Sequence, residues 1–88
     1  MSARVKCIDA CRQCAGLFRL GRDVEAALVM VDVFDEAQQL IASAPQDVQQ
    51  SWTQVLTRML ASQERQDWLG LADFMEYELI DLLESAPG

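Results

Sequence analysis

Apolar residues recur along this chain at intervals of three and four, the spacing of one helix face and not the alternation of a strand. Four such stretches can be read. The first spans about Ala3 to Leu20, with Cys7, Cys11, Cys14 and Phe18 in one row and Ile8 and Ala15 widening it. Gly21 is a good terminator, because a helix C-terminus often needs a left-handed residue that glycine supplies cheaply. Asp23 is placed as the N-cap of the second helix, which runs to about Ala42. Its expected core stripe is Val24, Ala27, Leu28, Val31, Phe34 and Ile41, with Val29, Met30 and Val33 partly off it. A helix apolar over so much of its circumference is either central or has a second face covered by a partner.

Ser43-Ala44-Pro45 breaks the pattern, and Pro45 suits the first turn of a helix. The third stretch, about Gln46 to Arg65, puts Val48, Trp52, Val55, Leu56, Met59 and Leu60 on one side. Asp67 reads as an N-cap for a fourth helix, from Trp68 to about Glu84. Trp68, Leu71, Ala72, Met75, Leu79, Leu82 and Leu83 form its stripe, with Leu69, Phe74 and Ile80 to the side. A continuous helix through Gln63 to Gln66 is the alternative to a break between the last two. The tail Ala86-Pro87-Gly88 is expected to fray. A weak echo at an offset of 44 residues, with Asp23 on Asp67 and Val31 on Met75, suggests two hairpins of similar plan. Two hairpins are fewer than the roughly three repeats that stabilise an open solenoid. The expected fold is therefore all-α, a four-helix bundle or two packed helical hairpins, in one domain over residues 1–88.

Charge changes the functional picture more than the fold. The net charge is −7, yet Arg4, Lys6, Arg12, Arg19 and Arg22 all precede Asp23. Only Arg58 and Arg65 are basic thereafter. Such an acidic chain does not attract phosphate backbones, so nucleic acid is not an expected partner. The basic beginning and acidic remainder can pair within a monomer or between copies. The longest apolar run, Ala26 to Phe34, is too short to span a bilayer and contains Asp32, so no membrane span is expected. The N-terminus lacks a signal-peptide core, and an odd cysteine number suits a reducing compartment; both point to a cytoplasmic protein.

Cys7, Cys11 and Cys14 carry the sharpest candidate chemistry. Their C-x3-C-x2-C spacing is that by which radical-SAM enzymes hold an iron–sulfur cluster. On a helix, however, the end thiols lie about 10 Å apart along the axis, and no single cluster is wrapped that way. Core packing as small hydrophobes is the expected role; a metal or redox protein using these three residues is the alternative. The pair Cys11 and Cys14 also forms a C-x-x-C, but in mid-helix and without a preceding strand. No histidine is present, which removes a serine–histidine relay and leaves zinc without a fourth ligand. The carboxylates of Asp73, Glu76 and Glu78, or of Asp32, Asp35 and Glu36, fall mostly opposite the apolar stripes and read as a solvated face. No catalytic residue, metal ligand or cofactor is assigned.

Apolar residues in excess of one narrow stripe point to a partner. Met30 and Val33 on the second helix, with Trp68, Phe74 and Tyr77 on the fourth, are the candidate partner-binding residues. Trp52 and Trp68 also suit core anchoring, and an exposed tryptophan would be an interface anchor.

The segment from Asp67 to Glu84 resembles a motif of small bacterial helical proteins of unknown function, some associated with flagellar gene clusters. Its pattern, D-[WY]-x-x-L-A-D-x-x-E-Y-E-L-x-x-L-L, is matched by Asp67, Trp68, Leu71, Ala72, Asp73, Glu76, Tyr77, Glu78, Leu79, Leu82 and Leu83. The sequence departs from it at Ile80-Asp81, where members often place a proline. In size, acidity and helix content the chain is also similar to flagellar and type III export chaperones. The resemblance implies a non-enzymatic helical protein that binds another protein through an apolar groove or helix, in flagellar assembly or secretion. A self-associating scaffold, with a homodimer built from the basic first and acidic fourth helices, is a further alternative.

Overall fold

The computed structural model describes residues 2–85, so the expected fraying at 86–88 lies outside the described residues. Four helices and no strand occur among them: α1 (Ala3–Arg19), α2 (Asp23–Ile41), α3 (Gln46–Glu64) and α4. The last is continuous over 68–85 but changes pitch, being α-helical over Trp68–Asp73, π-helical over Phe74–Leu79 and α-helical again over Ile80–Ser85. α1 with α2 and α3 with α4 form two hairpins. They pack chiefly through α1 against α4, while α2 meets α3 lightly, at Phe34 edge-on to Trp52 and at Trp52 Nε1–H donating to Gln38 Oε1. The all-α expectation of packed hairpins therefore holds.

Both hairpins turn by the same device. At the end of α1, Arg22 N–H reaches Leu17 O at 2.9 Å, Gly21 N–H reaches Phe18 O, and Gly21 has φ +77°. At the end of α3, Asp67 N–H reaches Ser62 O at 2.8 Å, Gln66 N–H reaches Gln63 O, and Gln66 has φ 58°. This paired pattern satisfies the last carbonyls of each helix and needs one left-handed residue. It settles the break between α3 and α4. It also shows that the hairpins correspond at the turn with Gln66 over Gly21, one residue further along than the sequence echo suggests.

The caps divide the same way. Ser2 accepts from Val5 N–H and Asp67 from Gly70 N–H, as N-caps do. A Cβ at Gly70 would run into the Asp67 carboxylate, so the close approach of this cap depends on glycine. Asp23 is not the N-cap of α2; Arg22 holds that position without a side-chain bond, and Asp23 lies in the first turn. Pro45 is the N-cap of α3, where its carbonyl receives Val48 and Gln49 N–H. Gln49 in turn donates to Ala42 O and Ala44 O at the end of α2, tying the two hairpins together.

The core is built from α1 (Cys7, Ile8, Cys11, Cys14, Ala15, Phe18), as its spacing predicts, and from Leu71, Met75, Leu79 and Leu83 of α4. Trp52, Val55 and Met59 of α3 and Ala26, Met30, Val33, Ala37 and Ile41 of α2 complete it, whereas Leu60 is exposed. In α4 the wider π turn re-phases the helix: Ile80 comes inward and Leu82 is only half-buried, the reverse of the expectation from a uniform α-helix.

Candidate functional site

The largest difference from the sequence reading lies in α2. Its buried row is Ala26, Met30, Val33, Ala37 and Ile41. Of the stripe expected to be inward, Ile41 is buried and Ala27 and Phe34 are half-buried, but Val24, Leu28 and Val31 face solvent at 76%, 68% and 64% exposure. The cause is visible in the residues. The Ala26 to Ile41 row contains no polar side chain, whereas the Val24 row continues into Asp35, one turn beyond Val31. Burying that carboxylate unpaired would cost several kcal/mol on the order of the whole domain's margin. The chosen row is also narrow. Ala26 and Ala37 face the small side chains of α1, close enough for Cys14 Sγ to donate to Ala26 O at 3.3 Å and Cys7 Sγ to Val33 O at 3.9 Å.

Met30 and Val33 are therefore core residues, at 3% and 1% exposure, and do not belong to a partner-binding surface. Of the other candidates, Trp68 is half-buried and stacks on Phe18 with ring centroids 5.7 Å apart and planes 7° apart, acting as an anchor between α1 and α4. Phe74 and Tyr77 are brought together. They line a shallow depression of about 260 Å³ with Gly70, Asp73 and Glu78. Tyr77 is exposed and hydrogen-bonds Glu76, which raises its hydroxyl above the ordinary tyrosine range. The signal for the α2 surface is the excess of apolar residues around that helix, which implies a second face beside the buried one.

The outer face of α2 is a definite piece of geometry. Val24, Leu28 and Val31 share an arc of about 60° on a helix of 3.6 residues per turn. One edge of this row carries Glu25 and Asp32, three before and four after Leu28, and both are exposed. The other edge carries half-buried Ala27 and Phe34, and Asp35 ends the row. Over its whole length α2 holds Asp23, Glu25, Asp32, Asp35 and Glu36 and no lysine or arginine. Arg22, just before its N-terminal end, lies 3.8 Å from Glu25, and Lys6 of α1 lines one depression with Glu36. Leu20, in the turn leading into α2, is a further exposed aliphatic residue.

The three thiols are fully buried and run along α1. Cys11 shares its hydrogen with Cys7; this bond, then burial, raises the Cys11 thiol, while accepting it lowers Cys7 against the opposing effect of burial. Burial pushes Cys14 up to about 12. Among the described residues no group of three or more cysteines and carboxylates is placed to hold a metal ion. The geometry gives the cluster reading no support.

The acidic face of α4 meets a basic residue of α1. Arg19 of α1 bridges Asp73 Oδ1 and Glu76 Oε2, each at 2.9 Å, and the bond to Asp73 raises the guanidinium further. One of the early basic residues thus meets the acidic remainder inside a single molecule. The remaining carboxylates of α4 line an open depression of about 430 Å³ with Tyr77 and Ile80. No described helix is long and apolar enough to cross a membrane.

No curated protein and no solved structure matches the chain. A family profile does, over residues 5–86, which takes in all four helices and the outer row of α2. The chain belongs to the family described as a domain of unknown function, DUF8042.

Proposed function

We propose that this chain is a non-enzymatic protein-binding module that takes a helical segment of another protein along the outer face of α2. The observation that supports it most is the row of Val24, Leu28 and Val31, exposed on a helix whose opposite face already fills the core. Scattered exposed aliphatic residues are ordinary, but three in register on one helix form a surface of the kind that helix-in-groove partners cover. Buried thiols and the lack of histidine favour binding over catalysis as the reading. The resemblance of the Asp67 to Glu84 segment favours flagellar assembly or secretion as the setting.

Site-specific photocrosslinking in the native cell tests this. A photoreactive residue at Leu28 or Val31 is expected to yield one discrete adduct with another protein. The same residue at Gln54, exposed on α3, is expected to yield none. Equal labelling at all three positions, or none at any, would contradict it.

A further inference from the structure

We infer that the segment docking on α2 is a basic amphipathic helix of a different protein, with aliphatic side chains at i, i+4 and i+7 and lysine or arginine along one flank. This rests on the reading of α2 as a docking face and adds the chemistry of the occupant. The apolar row fixes the first half of the description. A helix laid along Val24, Leu28 and Val31 must offer its own aliphatic residues at the same one-turn spacing to exclude water from the seam.

Charge fixes the second half. Glu25 and Asp32 border the row on one side, Asp35 closes it, and Glu36 lies just beyond, all exposed. No cation lies on α2 itself; Arg22, just before it, stands 3.8 Å from Glu25 and Lys6 of α1 shares a depression with Glu36, so the edge is most acidic at Asp32 and Asp35. The opposite border, Ala27 and Phe34, is apolar. The surface is thus asymmetric, with an aliphatic centre, an acidic edge and an apolar edge, and it orients a helix whose basic flank meets the acidic edge.

A second copy of the chain fits this surface poorly. Two α2 helices paired antiparallel about a twofold axis would set the Glu25 and Asp32 edges against each other, a parallel pair would set each acidic edge against the apolar Ala27 and Phe34 border, and each copy already carries −7. The basic helix α1 offers Lys6 and Arg12 on its outer side, but its only large exposed apolar residue within Ala3–Arg19 is Val5. It lacks a row to match α2. The cations must come from elsewhere.

The test uses the full chain and two designed helical peptides with the same leucine row, one flanked by lysine and one by glutamate, each fluorescently labelled. In low salt the lysine peptide is expected to bind at least about tenfold more tightly than the glutamate peptide, with the gap closing as salt screens the edge. Leu28→Gln is expected to weaken the lysine peptide about tenfold or more. The double variant Glu25→Gln and Asp32→Asn is expected to narrow the difference between peptides while leaving the helical circular-dichroism signal unchanged. Equal affinity for both peptides, or no saturable binding of either, would overturn the inference. So would a homodimer in sedimentation that Leu28→Gln dissolves. If crosslinks from Leu28 to another protein persist while the lysine peptide fails, the partner's chemistry is wrong and the docking face itself stands.

Discussion

At the level of single residues, Cys7, Cys11 and Cys14 determine how closely α1 can approach α2. Small, fully buried and facing Ala26 and Val33, they let sulfur reach main-chain carbonyl oxygen across the seam. Reactivity follows from that burial. A thiol reagent at pH 8 should modify none of the three in the folded protein and all three once denaturant is added, because attack requires exposed thiolate; rapid labelling of native protein would contradict the packing. The Cys14 shift has a definite sign. Its thiol stays protonated to about 12 when folded but ionises near 9 when unfolded, so its stabilising contribution is complete below 9 and lost between those values. Thermal melts taken across that alkaline range should show a steeper fall for the native chain than for Cys14→Ala. The role of these cysteines was legible from spacing alone, since intervals of 4 and 3 continued by Phe18 define one helical face.

At the level of elements, the turns and the pitch of α4 divide what could be read from what could not. Gly21 announces its left-handed turn, but Gln66 performs the same task with a side chain that pays for it in backbone strain. Gln66→Gly should therefore raise stability by about 0.5–1 kcal/mol, from the relief of a left-handed penalty of 1–2 kcal/mol less the added chain entropy. Gly21→Ala should lower stability by about 1 kcal/mol, and since no atom stands within 4 Å of the added Cβ, the loss measures conformation alone. Chemical denaturation of the two variants checks both signs. The π turn over Phe74–Leu79 left no pattern in the sequence, because one extra residue per turn shifts phase without altering composition. Its consequence, Ile80 in and Leu82 half out, was accordingly missed. The phase of α2 was a different failure. The stripe read from the sequence mixes two apolar rows: Ile41 belongs to the buried row from Ala26, which nothing polar interrupts, whereas Val24, Leu28 and Val31 run into Asp35. A row's continuity, more than its bulk, decides which side can be buried.

At the scale of the whole molecule, the two hairpins close one core through α1 and α4 and leave α2 with a second apolar row that the described residues do not cover. Replacing Val24, Leu28 and Val31 together by glutamine should leave the melting temperature within a few degrees of the native value, since surface changes away from the core are worth about ±0.5 kcal/mol each. A large loss of stability would mean that the row serves the fold. Covering those side chains in a complex is worth about 1–2 kcal/mol each by area, enough for a reversible contact steered by the acidic edge. The most direct test follows the backbone amides of the full chain by NMR as the lysine-flanked helical peptide is added. Saturable shifts are expected between Val24 and Glu36, with the amides around Phe74 and Tyr77 little changed. Shifts centred on α4 instead, or none that saturate, would contradict docking on α2.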